Sequence, residues 1–203
     1  MKINVVMRDV DFINDTNDYA GVDRGVYRLL KKGITPKFTY GDYDSVSGEE
    51  REFIESQLKI NAVNSEKDYT DSHLALFDLV DKGYTEIDVY GALGDRIDHE
   101  LMNIQLLLNE KFKNVDIRLI DKLNVIFKVM GKKELKNIGY KYVSFIPFFN
   151  GTTLTLDGFK YDGEVEISIG STLTVSNEFI DQTATVETNQ PVIAIYSNDK
   201  GRG

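Results

Sequence analysis

Cysteine and tryptophan are both absent from the chain, and histidine occurs only twice, as His73 and His99. Without cysteine there is no disulfide, no thiolate zinc site and no cysteine nucleophile, and a reducing compartment is compatible with the sequence. Two histidines are too few for a histidine-rich transition-metal centre. Without tryptophan, any aromatic platform for a ligand has to be tyrosine, phenylalanine or histidine. Positive charge is also in short supply: 24 lysines and arginines stand against 33 acids, a net charge of −9. That balance argues against nucleic-acid binding, which needs a basic face to displace counterions, and tolerates a cationic small substrate. No apolar run approaches the ~20 residues of a membrane span. The first residues, Met1-Lys2-Ile3-Asn4-Val5-Val6-Met7-Arg8-Asp9, turn polar too soon for a secretory signal. The expectation is a cytoplasmic protein with neither nucleic acid nor membrane as partner. Its 203 residues are enough for one large domain or two small ones with a real core.

Three short islands of acids and small residues stand out. Gly41-Asp42-Tyr43-Asp44-Ser45 places two carboxylates on alternate positions, able to converge on one hard cation. Magnesium favours such a pair together with waters and substrate phosphates, and Asp71 could add a third ligand. Taken alone the island also reads as a solvated turn, or as the Asp-x-Asp of a glycosyltransferase. Lys67-Asp68-Tyr69-Thr70-Asp71 opens a helical pattern, where Thr70 and Asp71 serve as ordinary caps, or where free amides and the Thr70 hydroxyl bind phosphate. Gly91-Ala92-Leu93-Gly94-Asp95-Arg96-Ile97-Asp98-His99 follows a strand pattern. Its glycines let backbone approach a ligand and Arg96 can meet phosphate bidentately. The plainer reading is a glycine turn with Asp98 as helix cap. His73, one turn into its helix, reads as structural or exposed.

The periodicity changes character near Lys122. Before it, strand patterns at Ile3–Met7, Phe38–Tyr40, Ile87–Tyr90 and Val115–Ile120 alternate with helical patterns at Gly25–Lys32, Gly48–Leu58, Thr70–Lys82 and Asp98–Lys111. Strands separated by helices predict an α/β domain over 1–121 with a mostly parallel sheet. Ligands gather beyond the carboxyl ends of such strands, and all three islands follow strands or begin helices. After it, apolar, threonine and tyrosine runs separated by glycine and asparagine predict an all-β sandwich over 122–203. Its candidate strands are Val125–Val129, Tyr142–Phe148, Thr152–Leu156, Glu164–Ile169, Thr183–Glu187 and Val192–Tyr196.

In order and spacing these islands resemble the thiamine pyrophosphokinase family. The resemblance runs through Asp23-Arg24-Gly25, Gly41 to Ser45, Lys67 to Asp71 and Gly91 to Asn103. It continues through Gly158-Phe159-Lys160-Tyr161 and Gly170-Ser171-Thr172-Leu173-Thr174-Val175-Ser176-Asn177-Glu178-Phe179. Six islands in one order over nearly the whole chain are far more specific than any one of them. The resemblance implies an ATP-binding domain followed by a thiamine-binding and dimerisation domain. The expected assembly is a homodimer with shared active sites, with ATP as co-substrate and Mg2+ as cofactor. It implies magnesium on Asp42, Asp44 and Asp71, and catalytic roles for Asp71, Asp23 and Arg96. ATP contacts are implied for Asp42, Ser45, Lys67, Thr70, Gly91, Gly94, Arg96, Asp98 and Asn103. Thiamine contacts are implied for Ser171, Ser176 and Asn177, with Tyr161 or Phe179 as an aromatic neighbour. The chain departs from the family pattern in three places. Met7-Arg8-Asp9 lacks a glycine pair, Arg24 replaces a glycine and adds a charge that could meet a phosphate, and Asp95 replaces the glycine before Arg96. A non-catalytic regulator that binds nucleotide or thiamine is the alternative, and the full set of acids Asp23, Asp42, Asp44, Asp71 and Asp98 favours the enzyme.

Overall fold

Consecutive rather than alternating apolar residues dictate the strands of the first half of the chain. The computed structural model describes residues 1–8, 10–12, 14–59 and 69–201. It divides into two units, Met1–Lys122 and Leu123–Gly203. In the first unit the apolar runs become β1 (Lys2–Val6), β2 (Asp18–Val22), β3 (Phe38–Tyr40), β4 (Glu86–Tyr90) and β5 (Asp116–Ile120). In each of β1, β2 and β4 four of five residues are buried, as a sheet covered on both faces requires. All pairings in this unit are parallel, in the order β3-β2-β1-β4-β5. Helices α1 (Arg24–Lys31), α2 (Gly48–Gln57), α3 (Asp71–Asp81) and α4 (Ile97–Leu106) lie in the connections.

Strand β2 escapes periodicity because Asp-Tyr-Ala-Gly-Val is too short and too poor in β-branched residues to stand out. Its glycine has a packing reason, since a Cβ on Gly21 would lie 2.7 Å from Val26 Cγ2. The last helix stops at Leu106 instead of running on to Lys111, and a separate 3-10 turn occupies Glu110–Phe112. Asn109 causes the break, because its side chain accepts from the Lys111 N–H at 3.0 Å and so starts a new turn. Register is pinned by a charged pair within the sheet. Asp88 on β4 lies beside Arg118 on β5 and accepts two hydrogen bonds from it, at 2.6 and 2.8 Å.

The order of this sheet reverses between β1 and β4. The chain moves to β2 and β3 on one side, then crosses to β4 and β5 on the other. A crevice therefore opens beyond the carboxyl ends of β1 and β4, where open α/β sheets bind their ligands.

The second unit is entirely antiparallel, with β6 (Asn124–Lys136), β7 (Tyr142–Pro147), β8 (Thr152–Asp157), β9 (Gly163–Ile167) and β10 (Thr183–Ser197). The candidate strands at 183–187 and 192–196 are one strand, β10, whose register with β6 shifts between Thr188 and Val192. Pro191 sits at that irregularity, where a ladder can lose a donor without cost. Before the shift β10 also pairs with β8, and after it with β7. Phe127, Phe145, Phe159, Phe179 and Tyr196 pack edge-on or tilted at centroid distances of 5.1–5.7 Å and knit the interior.

Gly25, like Gly21, is fixed by contact alone. Gly25 lies in α1 against the end of β1, and a Cβ there would fall 1.8 Å from the Val6 carbonyl oxygen. Gly25→Ala is therefore expected to cost about 3 kcal/mol through overpacking against backbone. Urea denaturation measures it, and a loss under about 1 kcal/mol would show that α1 and β1 can separate without penalty.

Candidate functional site

A cleft of about 240 Å³ lies at this switch point. Met7 and Arg8 enter it after β1, Val22 and Asp23 at the end of β2, and Gly91 after β4. Thr70, Asp71 and Ser72 line it from the start of α3, and His99 and Asn103 from α4. Apart from Asn103, in the body of α4, the lining groups come from strand ends or helix starts, which is where the three islands fall.

Three acids meet here. Carboxylate oxygens of Asp23, Asp42 and Asp71 all lie within 4.8 Å of one another. Asp23 is held in a strained conformation, φ 48° and ψ −121°, of the kind that persists only where the surroundings impose it. Its N–H donates to the Tyr40 carbonyl at 2.9 Å, and its Oδ1 accepts from the Tyr43 N–H at 3.3 Å. Gly41 is required twice over: its φ is +108°, and a Cβ would lie 2.0 Å from Asp23 Oδ1. Tyr43, at φ 65°, then buries its ring with Val26 and Ile54, so the turn is anchored into the packing of α1 and α2.

Asp44 lies outside the trio. The Asp42 carboxylate accepts the Asp44 N–H at 3.0 Å, and the Asp44 side chain faces solvent. The structure thus gathers Asp23 with Asp42 and Asp71, where the Asp-x-Asp spacing had pointed to Asp44. Burial, followed by the negative charge of Asp71 and of Asp42 and Asp44, pushes the Asp23 carboxyl up from 3.8 to about 6, against the opposing Tyr43 N–H. Such a trio suits a divalent cation, whose charge relieves the repulsion.

On α3, Thr70 caps the helix by accepting from the His73 N–H at 3.4 Å. The Ser72 hydroxyl donates to Asn103 Oδ1 at 3.2 Å, and Asn103 Nδ2 donates to the Ala92 carbonyl at 2.9 Å. Buried Asn103 therefore ties the start of α3 to the glycine loop. His73 stacks between Tyr69 and Phe77 at 4.5 and 4.2 Å, and burial lowers its pKa, in keeping with a structural role. Lys67 falls outside the described residues. Ser45 is exposed and is not among the residues lining the cleft.

The glycine loop is closed upon itself. Both Gly94 and Asp95 donate their N–H groups to Glu100 Oε1, at 2.9 and 2.7 Å. The sequence expectation had the glycines of this loop bring backbone close to a ligand, and nothing in the spacing marks Glu100 as the partner of these amides. Arg96 grips Asp98 through two bonds of 3.1 and 2.6 Å, and this guanidinium is what lowers the Asp98 carboxyl to about 2. Arg96 is not among the cleft-lining residues. Arg24 donates to Glu50 at 3.0 and 2.7 Å, and Glu50 also completes the capping box of α2 with Ser47. Two of the three departures from the family pattern meet directly, because Arg8 pairs with Asp95 at 3.1 Å. Arg8, like Met7, Val22 and Ser72, is a lining residue to which motif reading gave no role, and its position just beyond a buried strand was the available signal.

In the second unit, Asn177 is buried and its amide is engaged within the fold. It accepts from the Tyr161 and Glu178 N–H groups at 3.0 and 2.9 Å and donates to the Tyr161 carbonyl at 2.9 Å. Ser176 is exposed at φ 59°, with its N–H donated to Ser144 Oγ at 2.9 Å. Ser171 is half-buried and accepts weakly from the Leu173 N–H at 3.4 Å. Phe179 belongs to the aromatic interior, whereas the Tyr161 ring is exposed.

Comparison with known proteins finds matches for both units. The family model described as thiamin pyrophosphokinase, catalytic domain, matches residues 11–119. A second, thiamin pyrophosphokinase, vitamin B1 binding domain, matches residues 132–193. The chain is 42% identical over 172 residues to a thiamine pyrophosphokinase of Bacillus subtilis (strain 168), covering 82% of this chain and 80% of the relative. A crystal structure of thiamine pyrophosphokinase from Bacillus subtilis superposes with a TM-score of 0.88 at 36% identity, over 98% of this chain and 100% of the other. One of thiamin pyrophosphokinase from Geobacillus thermodenitrificans gives 0.86 at 32% identity, over 99% of each chain. Among the described residues no helix is long and apolar enough to cross a membrane.

The crowding of carboxylates has a measurable consequence. Because the folded pKa of Asp23, about 6, lies above its ordinary 3.8, the folded protein holds that proton more tightly than the unfolded chain. The resulting stability is fully present below about pH 4 and is lost as pH rises through about 6. In protein stripped of divalent cations, Asp23→Asn is expected to raise the thermal midpoint by about 3 °C at pH 7 and to leave it unchanged at pH 4. A difference that stays constant across this range would show that Asp23 is not the group concerned.

Proposed function

The chain belongs to the thiamin pyrophosphokinase family, and from that premise we propose that its chemistry is carried by the three acids of the first unit's cleft. The activity is transfer of pyrophosphate from ATP to thiamine. The observation that supports the site assignment is the convergence of Asp23, Asp42 and Asp71 within 4.8 Å. In this reading the primary hydroxyl of thiamine attacks the β-phosphorus of ATP. A new P–O bond forms, the bond from the β-phosphorus to the oxygen bridging the α-phosphate breaks, and AMP leaves. Positioning and charge neutralisation supply most of the acceleration in such a transfer.

Asp23, Asp42 and Asp71 would hold Mg2+, with Asp23 in the place first given to Asp44. The fit rests on the convergence of the three carboxylates within 4.8 Å, where the charge of its neighbours adds to burial in raising the Asp23 pKa. When bound, the ion neutralises phosphate charge. Asp71, at the first position of α3, orients the thiamine hydroxyl and takes its proton as the new bond forms. Asn103 holds the glycine loop and the start of α3 at fixed separation, so that groups from both elements meet one substrate. Arg96 reaches phosphate by exchanging its Asp98 partner for the nucleotide. That pair is mostly exposed, 64% and 61%, and exposed pairs contribute only about 0–1 kcal/mol.

In the second unit, the hydroxyls of Ser171 and Ser176 and the exposed Tyr161 ring would receive thiamine. Asn177 supports them from behind by fixing the Tyr161 segment. A homodimer with shared sites is the assembly proposed. Ile169, Leu173, Val175 and Ile180, on the segment that carries both serines, are all exposed. Apolar exposure of that density marks a surface for association.

Three measurements test these assignments. Purified protein is expected to release AMP and thiamine diphosphate in equal amounts, only with both thiamine and Mg2+ present. A protein that binds thiamine without releasing AMP would be a regulator. Asp71→Asn is expected to lower kcat by about 1000-fold while the thermal midpoint stays nearly constant, because it removes charge from the reacting centre and not from the core. Mixing Asp71→Asn with Ser176→Ala at limiting thiamine is expected to restore about a quarter of wild-type turnover, since half the dimers would be mixed and each would hold one intact site. Failure of the mixture to regain activity would place both groups of one site on the same subunit.

A further inference from the structure

Among the described residues that line the cleft, Arg8 is the one arginine or lysine. Asp23 and Asp71 line the same cleft, so a polyphosphate entering this space meets these acids together with the Arg8 guanidinium. The root of Arg8 is fixed. Gly91, at φ +84°, packs so closely that a Cβ there would lie 3.0 Å from the Arg8 backbone nitrogen and 3.2 Å from its Cβ. Among the described residues the head of the side chain pairs with Asp95, at 3.1 Å, with side-chain exposures of 27% for Arg8 and 64% for Asp95. Asp95 lies in the glycine loop, and its own N–H is taken by Glu100.

A single ion pair with so exposed a carboxylate is weak. A triphosphate offers more charge and a planar pair of oxygens that matches the guanidinium fork. The other arginines near the site have their heads elsewhere, Arg24 on Glu50 and Arg28 on Asp11, and Arg96 lies outside the lining on Asp98. We propose that Arg8 binds the phosphates of ATP and that Asp95 is its resting partner in the nucleotide-free enzyme, so that nucleotide must displace Asp95 to engage Arg8. This rests on the reading of the cleft as the nucleotide site.

The displacement gives Asp95 a sign opposite to that of Arg8. Loss of Arg8 removes a phosphate contact, whereas loss of Asp95 removes a competitor for it. A pair that merely staples the glycine loop to β1 would instead weaken the site whichever member is lost.

Steady-state kinetics and calorimetric titration of the full-length enzyme with Mg2+ separate the two. Arg8→Ala is expected to raise the KM for ATP about tenfold and to leave that for thiamine within about twofold, with Arg8→Lys intermediate. Asp95→Asn is expected to lower the KM for ATP about threefold, and to have no effect when Arg8 is already alanine. Adenosine, which carries no phosphate, is expected to bind Arg8→Ala as it binds the wild type. An unchanged ATP KM in Arg8→Ala, or a rise in Asp95→Asn equal to that of Arg8→Ala, would overturn the assignment. ATP binding insensitive to Arg8→Ala yet weakened by Asp42→Asn removes Arg8 alone. Binding insensitive to Asp23→Asn, Asp42→Asn and Asp71→Asn as well removes the cleft reading beneath it.

Discussion

Three like charges forced together at the ends of parallel strands are the constraint on which the rest of the first unit turns. Carboxylates within 4.8 Å of one another repel, and they stay together only because each is attached to something that cannot yield. Asp23 is fixed at a strained φ and ψ between β2 and α1. Asp42 sits in a turn whose neighbouring tyrosine is buried under α2. Asp71 begins α3, where the positive end of the helix favours a negative side chain. The glycines obey the same geometry. Gly41 leaves room for the Asp23 carboxylate, and Gly25 lets α1 start against the backbone of β1. A sheet buried on both faces supplies the rigidity, and its reversal between β1 and β4 supplies the space.

Around these acids, groups suited to phosphate are each met by a carboxylate of the chain itself. Two glycine-loop amides face Glu100, Arg96 faces Asp98, and Arg8 faces Asp95. Each contact is local or exposed, so each is replaceable at small cost. This gives the acidic character of the loop a physical meaning: the internal acids keep donors and cations satisfied and oriented in the absence of substrate. The position of Arg8 opposite Asp95 also means that neither residue can be judged separately. A lone arginine would add unbalanced positive charge beside the glycine loop, and a lone aspartate would add to the existing repulsion.

Much of this was legible in the sequence. Apolar runs and helical stripes located four of the five parallel strands, and the rule that ligands gather past strand ends located the cleft. The chain hid what depends on long-range packing. Strand β2 carries only Tyr19, Ala20 and Val22 as apolar residues around Gly21, so the strand that delivers Asp23 had no periodic signature. The Asp-x-Asp spacing placed Asp42 and Asp44 together, but the left-handed φ of Tyr43 turns the second carboxylate to solvent. In the second unit, residue type could not separate Asn177, spent on the Tyr161 backbone, from Ser176 with its exposed hydroxyl, nor the interior Phe179 from the exposed Tyr161.

The same repulsion that destabilises the cleft would strengthen its hold on the proposed cation. An ion that binds the folded chain and not the unfolded one stabilises the fold by its binding free energy. Relief of carboxylate repulsion is part of that free energy, so strain built into the turn at Asp23 returns as affinity for the ion. Proton and cation would then be alternative occupants of one electrostatic position. The raised proton affinity of Asp23 records its burial first and the neighbouring negative charge second. Softening the turn to ease the repulsion would spread the three oxygens apart, and the charge density suited to the proposed cation would be lost with the strain.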